Sequence, residues 1–288
     1  MSNPQGLPDA EAVTPVSGQL SEVMTVDHEV FASHYVSLTS SDGPVRAVEM
    51  LARDGLVTFD GVHDRRSVVD LASRLLTMRE HRDAGADGVT MIADRGSVAD
   101  RLGYAGFGHR ELGPHTDSSA LARPPRLVML VCVQPADCGG ESSVVDGAAV
   151  YADLATHAPG LLQALKRPGT VRFGDPGYWG SVFEPTADGR MTVRLRLDGL
   201  EHFTEPVDEA VPVLRAMISR HVRELPLRPG QGYLLDNWRM LHGRCEFRGS
   251  RLMYRVLGDP VTSCVLPSGF VPGSLAVVGA SSDGWDRP

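Results

Sequence analysis

The chain reads as one mostly β domain with flanking helices. Three observations predict that class. Apolar, β-rich runs stand between clusters of turn residues, most plainly at 126–133, where seven apolar residues follow Arg126. Amphipathic helical patterns fill stretches before and between those runs. Finally, 288 residues are enough for one sizeable β-sandwich core and do not demand a second domain.

Taken in order, residues 1–25 are polar and contain Pro4, Pro8 and Pro15, which predicts a mobile tail. A single domain is expected over 26–266. Within it, 44–53 reads as a helix with Pro44 in its first turn, and 56–59 as a short strand. Val68, Val69, Leu71, Leu75 and Leu76 predict that 63–82 is mainly helix, and 89–92 reads as a strand. Residues 94–114 carry Gly96, Gly103, Gly106, Gly108 and Gly113 at no regular period, so they read as a loop over the mouth of a site. The strand at 126–133 is followed by the Gly139-Gly140 turn, a second strand ending at Asp146, and a helix over 147–166. Residues 168–204 are rich in Gly, Pro and aromatics (Phe173, Tyr178, Trp179, Phe183) and read as an inserted lid with a hairpin at Asp188-Gly189. A helix is expected over 207–225, strands over 233–237 and 251–257, and a C-terminal tail over 267–288. No internal repeat is present.

Composition narrows the function. Lys and Arg total 28 against 36 Asp and Glu, a net charge of −8. Phosphate binding needs a basic face, so neither a nucleic acid nor an anionic membrane is expected as partner. No apolar run approaches the ~18 residues of a bilayer span, and the first 25 residues lack the basic and apolar regions of a signal peptide. Cys132, Cys138, Cys245 and Cys264 show no Cys-x-x-Cys spacing and read as inert residues of a reducing, cytoplasmic compartment.

The pair His115-x-Asp117, with His242 in the second half, is the candidate metal site. Side chains two apart on a strand share a face, so one strand edge can present both an imidazole and a carboxylate. Two imidazoles and one carboxylate suit a non-haem Fe(II) that keeps three positions open. A second His-x-Asp, at His81-Arg82-Asp83, ends a helical pattern, where residues two apart diverge by about 200°. It reads as a solvated helix end. Arg251 and Arg255, four apart on a strand, project from one face and suit a carboxylate ligand.

These residues carry a resemblance. The His-Thr-Asp pair, the Gly-Gly-Glu-Ser turn at 139–142, the Asp-Asn-x-x-x-x-His-Gly-Arg segment at 236–244 and the closing Arg-x-x-x-Arg strand together resemble the Fe(II)/2-oxoglutarate-dependent dioxygenases, in their taurine-dioxygenase and clavaminate-synthase-like branch, over about 44–260. The resemblance implies a double-stranded β-helix, or jelly roll. It implies His115, Asp117 and His242 as iron ligands, Arg251 and Ser142 as holders of the distal carboxylate of 2-oxoglutarate, and Arg255 as a contact to an acidic group of the substrate, although the two arginines could exchange roles. Glu111, four residues before the first ligand, is a candidate for a substrate cation.

The activity implied is oxidation of a C–H bond, with 2-oxoglutarate and O2 consumed and succinate and CO2 formed. The expected substrate is an amino acid or an amino-acid-derived small molecule of secondary metabolism, free or tethered to a carrier. Hydroxylation is the simplest outcome; desaturation, epimerisation and ring closure use the same ligands. Two other classes share these residues: a jelly-roll sensor that holds metal and 2-oxoglutarate without turnover, and a zinc hydrolase. The zinc reading leaves the paired arginines without a role.

Overall fold

The structure is a computed structural model that describes residues 29–205 and 207–273. Two antiparallel sheets face one another. The larger contains, side by side, β1 (Leu56–Phe59), β14 (Gly232–Asp236), β5 (Leu127–Gln134) and β17 (Leu252–Pro260), with β2 (Leu76–Met78) and β3 (Val89–Ile92) both pairing to β17. The smaller runs β13 (Arg223–Leu225), β7 (Ser142–Asp146), β15 (Met240–Arg244), β4 (Leu112–His115). Spatial neighbours come from opposite ends of the chain: β14 lies between β1 and β5, and β15 between β7 and β4. This is the jelly-roll arrangement. Smaller pairings join β6 (Cys138–Gly139) to β16 (Phe247–Arg248), β8 (Val171–Gly174) to β9 (Gly177–Gly180) and β12 (Glu201–Phe203), and β10 (Phe183–Pro185) to β11 (Met191–Val193).

Side-chain alternation explains why the central strands are apolar throughout. Val128, Leu130 and Cys132 of β5 point between the sheets, with Tyr233 and Leu235 of β14, Met253 and Leu257 of β17, Val144 of β7 and Met240 of β15. Their neighbours Leu127, Met129, Val131, Leu234 and Val256 point the other way, beneath α1 (Gly43–Asp54) and α2 (Arg65–Leu75). Val145 and Leu241, on the outer face of the smaller sheet, pack against α3 (Gly147–His157), α4 (Pro159–Leu165) and α5 (Val211–Ser219). Both faces of both sheets are therefore covered. Each such aliphatic side chain contributes about 1.5–3 kcal/mol by burial. The same alternation places Arg255 in phase with Met253 and Leu257, and His242 in phase with Met240.

Several elements differ from expectation. α2 starts on a capping box, with Asp64 accepting from the Ser67 amide, but ends at Leu75. Leu76 is drawn into β2 by pairing with Pro260, so 79–83 is a loop and not a helix end. The helix over 147–166 breaks at Ala158-Pro159, where proline removes a donor. The one expected over 207–225 stops at Ser219, and residues 223–225 become β13 at the edge of the smaller sheet.

The segment 168–204 is more than a covering flap. Val171, Phe173, Val182, Phe183, Met191, Val193 and Leu195 are buried in the core shared with α3, α4 and α5. Its hairpin does turn at Asp188-Gly189, between β10 and β11. The C-terminal tail expected from 267 begins as packed structure. Phe270 is buried against Tyr151 and Phe183, and Arg190 donates to the carbonyls of Ser268 and Gly269. Residues 1–25 and 274–288 lie outside the described residues.

Arg65 of α2 grips Asp87 with two hydrogen bonds, at 2.5 and 2.6 Å, and also donates to the Val89 carbonyl. Those bonds hold the Asp87 carboxyl down at about 2. A carboxylate depressed in this way contributes stability above its unfolded value, and that contribution is lost as pH falls toward 2. In urea melts between pH 5 and pH 2, Asp87→Asn is expected to remove part of the acid-side loss. A variant whose stability falls in parallel with the wild type would show the pair to be inert.

Candidate metal centre and active site

His115 closes β4 and Asp117 follows two residues later, where the chain leaves the sheet. His242 lies in the middle of β15, in direct register with His115. A cross-strand pair brings side chains within about 5 Å, and here the two imidazole centroids are 4.5 Å apart. One metal-binding atom from each of His115, Asp117 and His242 falls within 4.8 Å of the others. Gly243 permits this packing, since a Cβ there would collide with the Leu112 carbonyl of β4.

The protonation states suit metal binding. His115 Nδ1 donates to the Gly113 carbonyl at 3.0 Å, which leaves Nε2 as the free ligand atom. Burial, then the charge of His242, depresses the His115 pKa to about 4. Burial works to raise Asp117, but Arg255 followed by His242 and His115 outweigh it and hold the carboxyl well below its ordinary value. Ligands must be deprotonated to bind metal, and both of these are. His242 Nδ1 is buried with no hydrogen-bond partner among the described residues.

The group lies on the wall of a cavity of about 720 Å³ that also reaches Leu130, Tyr233, Arg244, Arg251 and Arg255. Arg255 donates to both Asp117 oxygens, at 2.9 and 3.2 Å, while its Nε has no partner among the described residues. Arg251 is buried and donates through Nε to the Gly140 carbonyl at 3.0 Å. Its terminal nitrogens make no hydrogen bond among the described residues. Beside it, Tyr233 Oη is buried with no hydrogen-bond partner among the described residues, and burial raises the Tyr233 pKa. Ser142, also buried, is close enough to Tyr233 to influence it. An open-handed guanidinium next to an orphaned hydroxyl is a fitted place for a carboxylate.

Two expectations change. Glu111 is exposed, outside the cavity lining, near Cys245, because its neighbour Leu112 takes the inward position. His81 and Asp83, in contrast, do line the cavity, although neither joins the metal group. Their tripeptide forms a turn closed from inside: the Asp83 amide donates to His81 Nδ1, and Asp83 is paired with Arg82 and Arg95.

Four supporting residues had no role assigned from sequence. Asn237 accepts from the Asp117 amide at 2.8 Å and donates to the Asp117 and Pro125 carbonyls, fixing the ligand's backbone from β14's end. Arg126 and Asp236 form a buried two-bond ion pair beside it, at 3.0 Å for each bond. Arg244 donates to the carbonyls of Arg110 and Gly108 and so ties the 105–110 loop to the sheet; burial lowers its pKa to about 10. Asn237 and Arg244 stand inside the 236–244 segment already singled out, but a hydrogen bond across 120 residues of chain leaves no local signal.

Residues 27–257 match the family described as Taurine catabolism dioxygenase TauD, TfdA family. The chain belongs to this family. Among curated relatives it is similar to gamma-butyrobetaine dioxygenase of Homo sapiens, 28% identical over 231 residues, which cover 72% of this chain and 57% of that protein. It is also similar to trimethyllysine dioxygenase of Meyerozyma guilliermondii, 26% identical, covering 50% of this chain and 41% of the relative. The chain thus spans about half the length of the curated relatives it matches. Among solved structures, asparagine oxygenase superposes with a TM-score of 0.61 at 17% identity, covering 86% of this chain and 93% of that one. The oxygenase OrfP, in complex with Fe, succinate and (3S)-hydroxy-L-Arg, superposes at 0.56 with 16% identity, covering 85% and 92%. These superpositions establish the shared fold. The cofactors follow the TauD/TfdA family: Fe(II), which the group of His115, Asp117 and His242 fits, and 2-oxoglutarate.

Proposed function

We propose that the protein is an Fe(II)- and 2-oxoglutarate-dependent oxygenase that hydroxylates a C–H bond of an amino acid or amino-acid-derived small molecule. The observation that carries this is the joining, in one cavity, of the three-ligand group with a buried arginine whose terminal nitrogens are unengaged. Bound iron supplies activation of O2 coupled to decarboxylation of 2-oxoglutarate. His115, Asp117 and His242 hold the metal on one side and leave the other side open. Arg251, Tyr233 and Ser142 receive the distal carboxylate of 2-oxoglutarate. Arg255 steadies Asp117 and turns its remaining donors toward an acidic group of the substrate, and the 94–114 loop keeps bulk water from the reacting atoms.

The lining also speaks to substrate class. Quaternary ammonium groups are held by aromatic cages. Among the described residues of this cavity, Phe107 and Tyr233 are the phenyl-type rings; Arg95 covers Phe107 at 3.7 Å, and Tyr233 lies buried beside Arg251. That favours an amino acid over a betaine or a trimethylated lysine. Oxygenase relatives named with hydroxyasparagine and hydroxyarginine point the same way. We place the enzyme in the cytoplasm and in secondary metabolism, with free or carrier-tethered substrates; its four cysteines are all unpaired, as a reducing compartment requires. No described helix is long and apolar enough to cross a membrane.

The test is anaerobic titration of the Fe(II) protein with 2-oxoglutarate, followed by the visible chelate band, and then O2 consumption across an amino-acid panel. Arg251→Ala is expected to weaken 2-oxoglutarate about 10–150-fold, the loss of one charge-assisted two-bond contact. Arg251→Lys restores only part, because an ammonium lacks the planar fork. Arg255→Ala is expected to act mainly on the prime substrate, with iron affinity falling about 10–100-fold through Asp117. The reverse pattern would exchange the two roles, and no band with wild-type protein would defeat the proposal.

A further inference from the structure

The loop that carries Asp117 is gripped by two consecutive residues that follow β11. Leu195 takes the residue before the ligand: its carbonyl accepts from the Thr116 amide at 2.7 Å, and its amide donates to Thr116 Oγ1 at 3.1 Å. Arg194 takes the residues after it. Its Nη1 donates to the carbonyls of Ser119 and Leu121, at 3.0 and 2.6 Å, and its Nη2 to the Ala122 carbonyl at 3.1 Å. Between these two grips Ser118 has φ +55°, the one left-handed non-glycine among the described residues. Such a conformation persists only where the surroundings impose it.

Arg194 does more than brace the fold. It is buried, and no carboxylate forms an ion pair with it among the described residues; Glu184 favours its charge only from a distance. Arg126 and Arg239, also buried, meet Asp236 and Asp146. A buried charge without such a partner is costly. Here the charge is directed at three carbonyls of one loop and at an aromatic face: the guanidinium lies 4.1 Å from the centre of the Tyr178 ring and 6.0 Å from that of Phe173. Those rings stand on β9 and β8, and the tip between the two strands, Gly174, Asp175 and Pro176, lines the cavity that holds the metal group. The tip also meets the ligand loop directly, since a Cβ on Gly174 would lie 2.9 Å from Ala120 Cβ.

We infer that Arg194 is a positioning residue for the metal centre: it sets the loop carrying Asp117 and, through Tyr178, ties the placement of that carboxylate to the seating of the β8–β9 hairpin. The inference rests on the proposed role of Asp117 as a metal ligand. Arg255 fixes the carboxylate and Asn237 the backbone of Asp117 itself, while Arg194 governs the chain that follows. Groups that orient a metal ligand in this way tune the metal without touching it. A substrate pressing on Gly174 or Pro176 shifts the Tyr178 ring, the guanidinium follows the ring, and the three carbonyls follow the guanidinium. Occupancy of the substrate wall is thereby felt at Asp117 with no direct contact between the two.

The experiment is titration of the metal-free protein with Co(II), whose visible bands report the geometry of its ligands, with thermal melts of the same samples. Arg194→Met is expected to weaken Co(II) about 10–100-fold and to alter the bands of the saturated protein. Arg194→Lys is expected to fall between that variant and the wild type, because one ammonium cannot span three carbonyls as the planar fork does. Tyr178→Leu keeps all three donors and is expected to weaken Co(II) at least about threefold. Arg65→Met loses hydrogen bonds away from the cavity and is expected to stay within about twofold of the wild type. A lower melting temperature in Arg194→Met with wild-type affinity and bands overturns the inference, as does an equal loss in Arg65→Met. If Arg194→Met does not fold, wild-type affinity and bands in both Arg194→Lys and Tyr178→Leu overturn it. An unchanged Tyr178→Leu beside an altered Arg194→Met overturns the tie to the hairpin. Wild-type protein that takes up no Co(II) defeats the metal site itself, a result distinct from all of these.

Discussion

Replacing His115, Asp117 or His242 with alanine is expected to abolish 2-oxoglutarate decarboxylation, while His81→Ala and Asp83→Ala keep iron and 2-oxoglutarate binding. Each of the first three removes one of three ligand atoms that lie within 4.8 Å of one another, and no other described His, Cys, Asp or Glu is near enough to join the group. The variants should fold, because the ligands are not core apolar residues. Losing Asp117 also frees Arg255, whose ion pair at 2.9 Å is then unmatched, so Asp117→Ala should be the least stable of the three. His81 and Asp83 line the cavity, so their replacement is expected to appear in the constant for the prime substrate. The measurements are iron content after anaerobic reconstitution and CO2 release. Iron retained at full stoichiometry with undiminished CO2 release in any of the three ligand variants would remove the metal centre.

Arg126→Met is expected to be the most damaging single change for stability away from the metal. It strands Asp236, buried with side-chain exposure of 2%, without its cation. Breaking a buried pair from one side costs about 3–5 kcal/mol, equivalent to a fall in Tm on the order of 10 °C. The same arginine also holds the carbonyls of Leu266 and Pro267 and lies over Trp238, so the C-terminal stretch loosens with it. Iron affinity should fall too, since Asp236 precedes Asn237, which grips the Asp117 backbone. Pairing Arg126→Met with Asp236→Leu should recover part of the stability, because a hydrophobic pair leaves no buried charge unmatched. Thermal melts of the single and double variants decide it. A double variant no better than the single would show that the damage comes from the carbonyl contacts.

The candidate metal triad is legible in the chain because it depends on residue type and short spacing, and the fold brings its three residues together. His115 and Asp117 are two apart, and His242 sits in a segment bounded by a turn and a strand. The central strands were readable because burial on both faces leaves an unbroken apolar run at 126–133. What has no local signal in the chain depends on contacts between distant residues. The apolar pattern around Leu75 and Leu76 continues smoothly from helix into strand, and pairing with Pro260 decides where the change occurs. The composition of 168–204 is equally compatible with a loose lid and with a packed layer, and Phe173, Phe183 and Val193 go inside. Glu111 is four residues from His115 along the chain, but alternation gives the inward position to Leu112. Asn237 stands in a legible segment, but its partner Asp117 is 120 residues away.

The pairing of His115 with His242 ties chemistry to folding fidelity. On β15, Met240 faces the interior, Leu241 faces the helices and His242 faces the interior again. A slip of one residue in this strand would expose apolar surface on both sides and turn the imidazole away from its partner in the same movement. The misregistered sheet is thus disfavoured by the same burial that disfavours a misplaced ligand. The candidate iron site is proofread by the hydrophobic core, and a correctly closed barrel already has the His115, Asp117 and His242 side chains gathered together.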